Sequence, residues 1–455
     1  MIHSSLLSGL SIYRAVKDND SVKAWQELMD SLREADPNRV LPAYHRFYAT
    51  AITRGWPRIL GDLIINDDNL FTRSASAQGT RISSSLRELA ARDLSILHEV
   101  AKVTLNEIKE RSISLFQKAG TDWNLPSDHP LNPSNWPEWN HESMLTPTPV
   151  YTENLANAAR WLHNARQNMI KCLFNHPWES CIDELISFYS RAGYGLFSQF
   201  AAAKWQKDTN SSCLVGIPNP DPIRLEHLIG LVSQKQTVVE NTENFLSGLP
   251  ANNIILYGSR GTGKSSMVKA LLNEYVEQGL RLVEIAKNHL ADLPYIYPVL
   301  ANEPAKFILF IDDLSFDDNE LDYKTLKTML EGGISTRPTN VLIYATSNRR
   351  HLIKETYTER QTDVHSQDGH EEKLSLSDRF GITVTFLSPD QEGYLKIVEA
   401  LASQNNLQIN HQELRNEALR WEMWHNGRSG RTARQFIDHL IAQQHATQNK
   451  GDYLN

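Results

Sequence analysis

Gly258-Ser259-Arg260-Gly261-Thr262-Gly263-Lys264-Ser265 is the stretch on which the fold turns. It fits G-x-x-x-x-G-K-[ST], the Walker A pattern, and its flanks suit it. The apolar run Asn253-Ile254-Ile255-Leu256-Tyr257 precedes it, and the helix-forming Ser266-Met267-Val268-Lys269-Ala270-Leu271-Leu272 follows. Strand, glycine loop and helix in that order make a phosphate cradle. Glycines let backbone N–H groups curl around phosphate oxygens, and the helix N-terminus adds partial positive charge. Lys264 is expected to reach the β- and γ-phosphates, and Ser265 to offer its hydroxyl to Mg²⁺. The whole segment from Gly258 through Ser259, Arg260, Gly261, Thr262, Gly263, Lys264 and Ser265 to Ser266 is thus a candidate nucleotide contact.

Working outward, the texture changes at Ile223. Short β-rich runs alternate with helical segments: Asn253–Tyr257, Arg281–Ala286, Phe307–Ile311, Val341–Ala345 and Ile382–Phe386. Such alternation predicts a five-stranded parallel sheet covered by helices, an α/β fold with ligands beyond the carboxyl ends of the strands. After Leu387 the chain reads as helical again. Ser388-Pro389-Asp390-Gln391 offers a cap, a first-turn Pro and a capping-box Gln.

Two of these strands end in chemistry. Phe307-Ile308-Leu309-Phe310-Ile311 runs into Asp312-Asp313. Asp312 is a candidate Mg²⁺ ligand, directly or through water, and Asp313 a candidate to orient or deprotonate an attacking water. A strand end also carries Asp as a turn former, the bland alternative. Val341-Leu342-Ile343-Tyr344-Ala345-Thr346-Ser347 ends at Asn348, whose amide both donates and accepts, so it can meet the γ-phosphate and hold a water. Its alternative is a simple turn or helix cap.

Upstream, residues 1–210 read as a mostly helical domain. Leu86 to Ile113 carries apolar residues at three- and four-residue spacing and predicts one long amphipathic helix. Gly120 to Pro149 is a Trp-, Pro- and Asn-rich strap holding Trp123, Trp136 and Trp139. Aromatics that pin a loop to a helical body are its plainer reading, sugar or base stacking the sharper one. A second helical block is expected from Thr152 to Trp205, then a linker from Asp208 to Pro222. Thr356 to Lys373 is polar and charged and reads as a loop.

Composition narrows the partners. The 455 residues are 40% hydrophobic and carry a net charge of −8. That length implies several domains, and that charge gives no general attraction to nucleic acid or anionic lipid. Cys172, Cys181 and Cys213 lack metal-ligand spacing in the sequence, and His289, His351, His365 and His370 show none either, so no zinc site is expected. Three scattered cysteines suit a reducing compartment. The start Met1-Ile2-His3-Ser4-Ser5-Leu6-Leu7 lacks a basic and apolar leader, and no apolar run is long enough for a membrane helix. A cytoplasmic protein without a membrane partner is expected.

Taken in order, the glycine loop, Asp312-Asp313, Asn348, Asp378-Arg379-Phe380-Gly381 and the basic turn Gly430-Arg431-Thr432-Ala433-Arg434 resemble the AAA+ ATPase superfamily over about Ile223 to Gln444. Within it, Asp312-Asp313-Leu314-Ser315-Phe316 and Leu376-Ser377-Asp378-Arg379-Phe380-Gly381 resemble an uncharacterised prokaryotic family, domain of unknown function 815. The resemblance implies an ATP-binding, Mg²⁺-dependent ATPase with an α/β module at 223–387 and a helical lid at 388–455. Leu228-Ile229-Gly230 matches the segment that lies against adenine. Arg379 stands where the superfamily places an arginine finger, which serves a neighbour's site and so implies a homo-oligomer, ring or filament. A surface ion pair is its alternative. Arg434 matches the lid arginine that senses nucleotide, with Arg431 the competing candidate. Asp313 departs from the longer Glu found in much of the superfamily, which bears on hydrolysis rather than binding. Tyr295-Ile296-Tyr297-Pro298 lacks a pore-loop pattern, so threading of polypeptide is not implied. Three functions remain: a Mg-ATP-driven remodeller of an unknown protein partner, a non-enzymatic ATP-gated scaffold, and a nucleic-acid-complex loader using Arg420, Arg428, Arg431 and Arg434.

Overall fold

The computed structural model describes residues 4–52, 54–119, 126, 128–137, 155–208, 211–315, 326, 330, 337–348, 379–425 and 427–452. Trp123, Trp139, Phe316, His351, His365, His370, Leu376, Ser377, Asp378 and the 356–373 loop lie outside them. The chain divides into two compact units, one of residues 1–155 and 160–200, the other of 156–159 and 201–455.

The first unit is helical: α1 (Asp20–Glu34), α2 (Pro37–Ala51), α3 (Trp56–Asn66), α4 (Leu70–Gln78), α5 (Ser84–Ala101), α6 (Leu105–Lys118), α7 (Asn157–Asn175) and α8 (Ile182–Ala192). The single helix expected over Leu86–Ile113 is two. Thr104 opens a new helix with a reciprocal capping box, its hydroxyl accepting from the Glu107 N–H while the Glu107 carboxylate accepts from the Thr104 N–H. Trp25 stacks on Trp56 at 5.8 Å in the core. Trp136 is buried, 4.4 Å from the Tyr44 ring, and donates its indole N–H to Leu131 O. That is how an aromatic pins a strap to a helical body. Asp93, fully buried, accepts the N–H groups of Ser11, Ile12 and Tyr13 at 2.9, 2.6 and 3.0 Å, fastening the segment before α1.

The second unit is built on one sheet of β1 (Ala202–Asp208), β2 (Ser211–Ile217), β3 (Ile254–Gly258), β4 (Leu280–Glu284), β5 (Lys306–Ile311), β6 (Val341–Ser347) and β7 (Ile382–Phe386). Strand order is β2-β1-β4-β5-β6-β3-β7. The five expected strands are all present and mutually parallel, but the sheet has seven. Ala202–Ile217, read from sequence as a helix end and a linker, forms an antiparallel hairpin whose β1 runs parallel to β4. The alternation in Ala203-Lys204-Trp205-Gln206 puts Ala203 and Trp205 inward and Lys204 and Gln206 out, a strand pattern too short to outweigh its helical neighbours.

Strand β5 is buried along almost its whole length and β6 throughout, as parallel strands covered on two faces must be. Helices α9 (Val232–Leu246), α10 (Lys264–Tyr275) and α11 (Leu293–Ala301) connect the strands. Tyr295-Ile296-Tyr297-Pro298 falls inside α11, with Ile296 and Tyr297 buried. The lid comprises α12 (Gln391–Gln404), α13 (His411–Trp424) and α14 (Gly430–Asp452) around Tyr394, Val398, Ala418, Ala433 and Phe436. Its first helix starts at Gln391, capped by Asp390, whose carboxylate accepts from Gly393 N; the cap expected at Ser388 is displaced by two residues.

Candidate nucleotide site

The glycine loop leaves β3 at Gly258, where φ is 149°. A Cβ there would lie 1.9 Å from Phe386 O, because β3 and β7 pair through this residue. Gly261 and Gly263, at φ 76° and 100°, take left-handed backbone that glycine adopts without penalty. Gly263 then starts α10, its carbonyl accepting from Met267 N. Ser259 and Arg260 are exposed, Thr262 is buried, and Ser266 is half-buried on the first turn of the helix.

Lys264 is only 6% exposed, and its ammonium donates to Gly258 O and Ser259 O at 2.8 Å each and to Asn348 Oδ1 at 3.0 Å. Burial holds this ammonium below the usual lysine range; the charges of Asp312 and Asp313 oppose that, while Arg431 and Arg260 reinforce it. Three cations therefore crowd one loop, which is the field an anionic ligand would relieve.

Ser265 Oγ donates to Asp312 Oδ1 at 2.6 Å. The same carboxylate oxygen accepts from Thr346 Oγ1 at 2.5 Å. Asp313 stands at φ 53°, held there by its N–H donating to Thr346 Oγ1 at 2.9 Å and by Leu314 N donating to Thr346 O. Asn348 donates its amide to Asp313 Oδ1 at 2.6 Å. Lys264, Ser265, Asp312, Asp313 and Asn348 thus form one hydrogen-bonded constellation at the carboxyl ends of β3, β5 and β6. Thr346, which sequence reading passed over, is its hub. It shares the face of β6 with the residue two further on, Asn348, so period-two counting back from Asn348 would have found it.

Leu228 is buried; a Cβ on Gly263 would meet its side chain at 3.7 Å and that of Leu231 at 3.2 Å. Leu228, Ile229 and Gly230 therefore lie beside the loop's exit, Gly230 at φ 76°. From the lid, Arg431 N donates to Gly261 O at 3.2 Å, and Ser429, which caps α14 through Thr432 N, would sit 2.9 Å from a Gly261 Cβ. Of the two lid arginines, Arg431 is the one whose backbone touches the loop; Arg434 is exposed on the next turn. Arg379 occupies the turn entering β7. That is the amino-terminal end of the strands, opposite the end that carries the loop, since β7 runs parallel to β3 and Gly381 packs on Asn252. Arg379 is not brought to this chain's own loop. Arg428 is clasped by Glu422 at 2.7 Å.

A hydroxyl and a carboxylate side by side make a hard oxygen pair suited to Mg²⁺. The glycine conformations leave backbone N–H groups, not side chains, to line the loop. These residues fit a Mg-nucleotide.

A sheet parallel in all but β2, bearing a glycine loop at one strand end and carboxylates at another, and a helical lid define a P-loop module of the AAA+ type. Residues 198–444 match the family model described as "Protein of unknown function (DUF815)", and the chain belongs to that family. The chain is also similar to the 26S proteasome regulatory subunit 4 homolog of Saccharomyces cerevisiae, 35% identical over 124 residues. That match covers 22% of this chain and 28% of the yeast protein. Among solved structures, two RuvB mutants of Thermotoga maritima, A156S and P216G, are similar at TM-score 0.36, with 14% and 16% identity. They match half of this chain and 67% and 68% of their own. Among the described residues no helix is long and apolar enough to cross a membrane.

Proposed function

We propose that this chain binds Mg-ATP at the glycine loop and hydrolyses it, using the cycle to change the conformation of an unidentified protein partner. The contact of Ser265 with Asp312 at 2.6 Å is the observation that carries this reading, because a loop hydroxyl and a strand-end carboxylate side by side are the residues that would hold Mg²⁺. Bound Mg²⁺ would supply positive charge against the phosphate oxygens. Lys264 would exchange its loop carbonyls for phosphate oxygens. Asp313 and Asn348, already paired, would hold a water in line with the γ-phosphate and accept its proton at the Asp313 carboxylate. Arg431, on the first turn of α14, is the lid arginine whose backbone touches the loop, with Arg434 on the next turn. Leu228, Ile229 and Gly230 would flank the base.

Arg379, at the amino-terminal end of β7, would serve a neighbouring copy's site and so make the working form a homo-oligomer. In this reading the helical unit up to residue 200 supplies partner specificity, 201–387 the ATPase module and 388–455 the lid. The pairing of Asn348 with Asp313 favours one second reading, an ATP-gated scaffold with slow turnover, since the amide occupies one of the two oxygens through which that carboxylate could take a proton. The clasp of Glu422 on Arg428 weakens the basic stripe a nucleic-acid loader would need. Mg²⁺-dependent phosphate release from wild-type and Lys264→Ala protein tests the ATPase. Mixing Lys264→Ala with Arg379→Ala subunits should restore part of the activity that each lacks alone. Absence of phosphate release by wild-type protein in every oligomeric state would leave only the scaffold.

A further inference from the structure

In the helical unit, Cys172, His176 and Cys181 converge. One donor atom from each lies within 4.8 Å of the others. Cys172 is on the last turn of α7, and Cys181 immediately precedes α8. The intervening turn is tightly held. His176 N donates to Cys172 O at 3.1 Å, Trp178 Nε1 to Leu173 O at 2.8 Å and Ser180 N to Pro177 O at 2.9 Å. The Cys172 thiol donates to Cys181 Sγ across 3.1 Å.

This spacing separates two chemistries. A tetrahedral metal with bonds of about 2.3 Å to each sulfur holds the two about 3.8 Å apart and asks for four ligands. The sulfurs here are closer than that, and the cluster offers three donors among the described residues. A disulfide needs an approach of about 1 Å to reach its bond length. Cys172 is half-buried and so open to a small oxidant, whereas Cys181 is 1% exposed. Burial, then the adjoining sulfur, pushes the Cys181 thiol up to about 12. Cys172, the more exposed sulfur, is therefore the one that meets the oxidant first, and Cys181 the one that resolves.

We propose that Cys172 and Cys181 are an oxidative modification site, joined reversibly as a disulfide when a hydroperoxide reaches Cys172. The Cys172 proton passes to solvent. The thiolate attacks a peroxide oxygen; the S–O bond forms, the O–O bond breaks, and the departing hydroxide of hydrogen peroxide recovers the proton as water. The Cys181 sulfur then attacks the Cys172 sulfenic acid, and hydroxide leaves with the Cys181 proton as a second water. Two thiols have lost two electrons, and the peroxide has taken both. The product staples the end of α7 to the start of α8.

The test is a thiol map of the full chain, reduced and then exposed to hydrogen peroxide. Free thiols are alkylated and the digest read by mass spectrometry. The expected result is a Cys172–Cys181 linked peptide lacking two hydrogens, with Cys213 on β2 still alkylated and the link undone by dithiothreitol. In Cys181→Ser protein, Cys172 should stop at a sulfenic acid that dimedone traps. Oxidation of Cys213 while both other cysteines remain alkylatable would overturn the proposal. So would one equivalent of Zn²⁺ bound per chain that shields the pair from peroxide, which would make it a metal site instead. Because the wild-type map needs no variant and no nucleotide, neither misfolding nor loss of ATPase activity can mimic these outcomes.

Discussion

Replacing Thr346 by Val tests whether a buried hydroxyl aims the Asp312 carboxylate. The change keeps the β-branched shape in a fully buried strand and removes one oxygen. That oxygen donates to Asp312 Oδ1 at 2.5 Å and accepts from Asp313 N at 2.9 Å. Loss of a hydrogen bond to a carboxylate costs about 1.5–3 kcal/mol, and a stranded N–H about 1–3 kcal/mol. Part of this falls on stability. If about 2 kcal/mol is felt in the transition state, turnover drops about 30-fold. The assay is steady-state phosphate release across a Mg²⁺ titration, with thermal unfolding followed in parallel to separate stability from catalysis. Thr346→Ser, which keeps the hydroxyl, should stay within a few-fold of wild type. A Val variant that is folded, with wild-type turnover and an unchanged Mg²⁺ requirement, would refute the reasoning.

Gly258→Ala should be far more damaging than Gly248→Ala. At Gly258 the new Cβ meets Phe386 O at 1.9 Å, whereas at Gly248 nothing lies within 4 Å and only the positive φ of 76° counts. Unfolding midpoints should register a loss of several kcal/mol for the first and about 1 kcal/mol for the second; equal losses would contradict the β3–β7 packing. Glu274 is held below its ordinary value of 4.5 by the Arg224 hydrogen bonds first, with burial opposing and the Leu225 N–H assisting. A depressed carboxylate stabilises the fold above its unfolded value and loses that contribution as pH falls through the lower folded one. The unfolding-midpoint gap between wild type and Glu274→Gln should therefore be widest near neutrality and close in acid; a pH-independent gap would dismiss the pairing.

Much of the module was legible because its signals are local. A glycine loop between an apolar run and a helix, and apolar runs ending in Asp312 or Asn348, need no distant partner to be read. The hairpin was not, because the alternation from Ala203 to Gln206 is too short to outweigh the helical block before it, and only the pairing of Ala202–Lys204 with β4, far along the chain, joins it to the sheet. Thr346 was overlooked for a related reason: its role depends on two strand ends meeting. The separation of Cys172 and Cys181 in sequence likewise conceals sulfurs that a tight turn brings to 3.1 Å. The split at Ala101–Leu105 was readable in principle, since Thr104 and Glu107 spell a capping box that apolar periodicity alone ran through.

Nucleotide affinity with and without magnesium, measured by calorimetry on wild-type and Asp312→Asn protein, bears most directly on the central claim. If the ion is held between Ser265 and Asp312, Mg²⁺ should tighten ATP binding in the wild type and lose most of that effect in the variant, while magnesium-free binding changes little. Wild-type protein that binds no ATP, or a variant whose magnesium enhancement equals the wild type's, would contradict it.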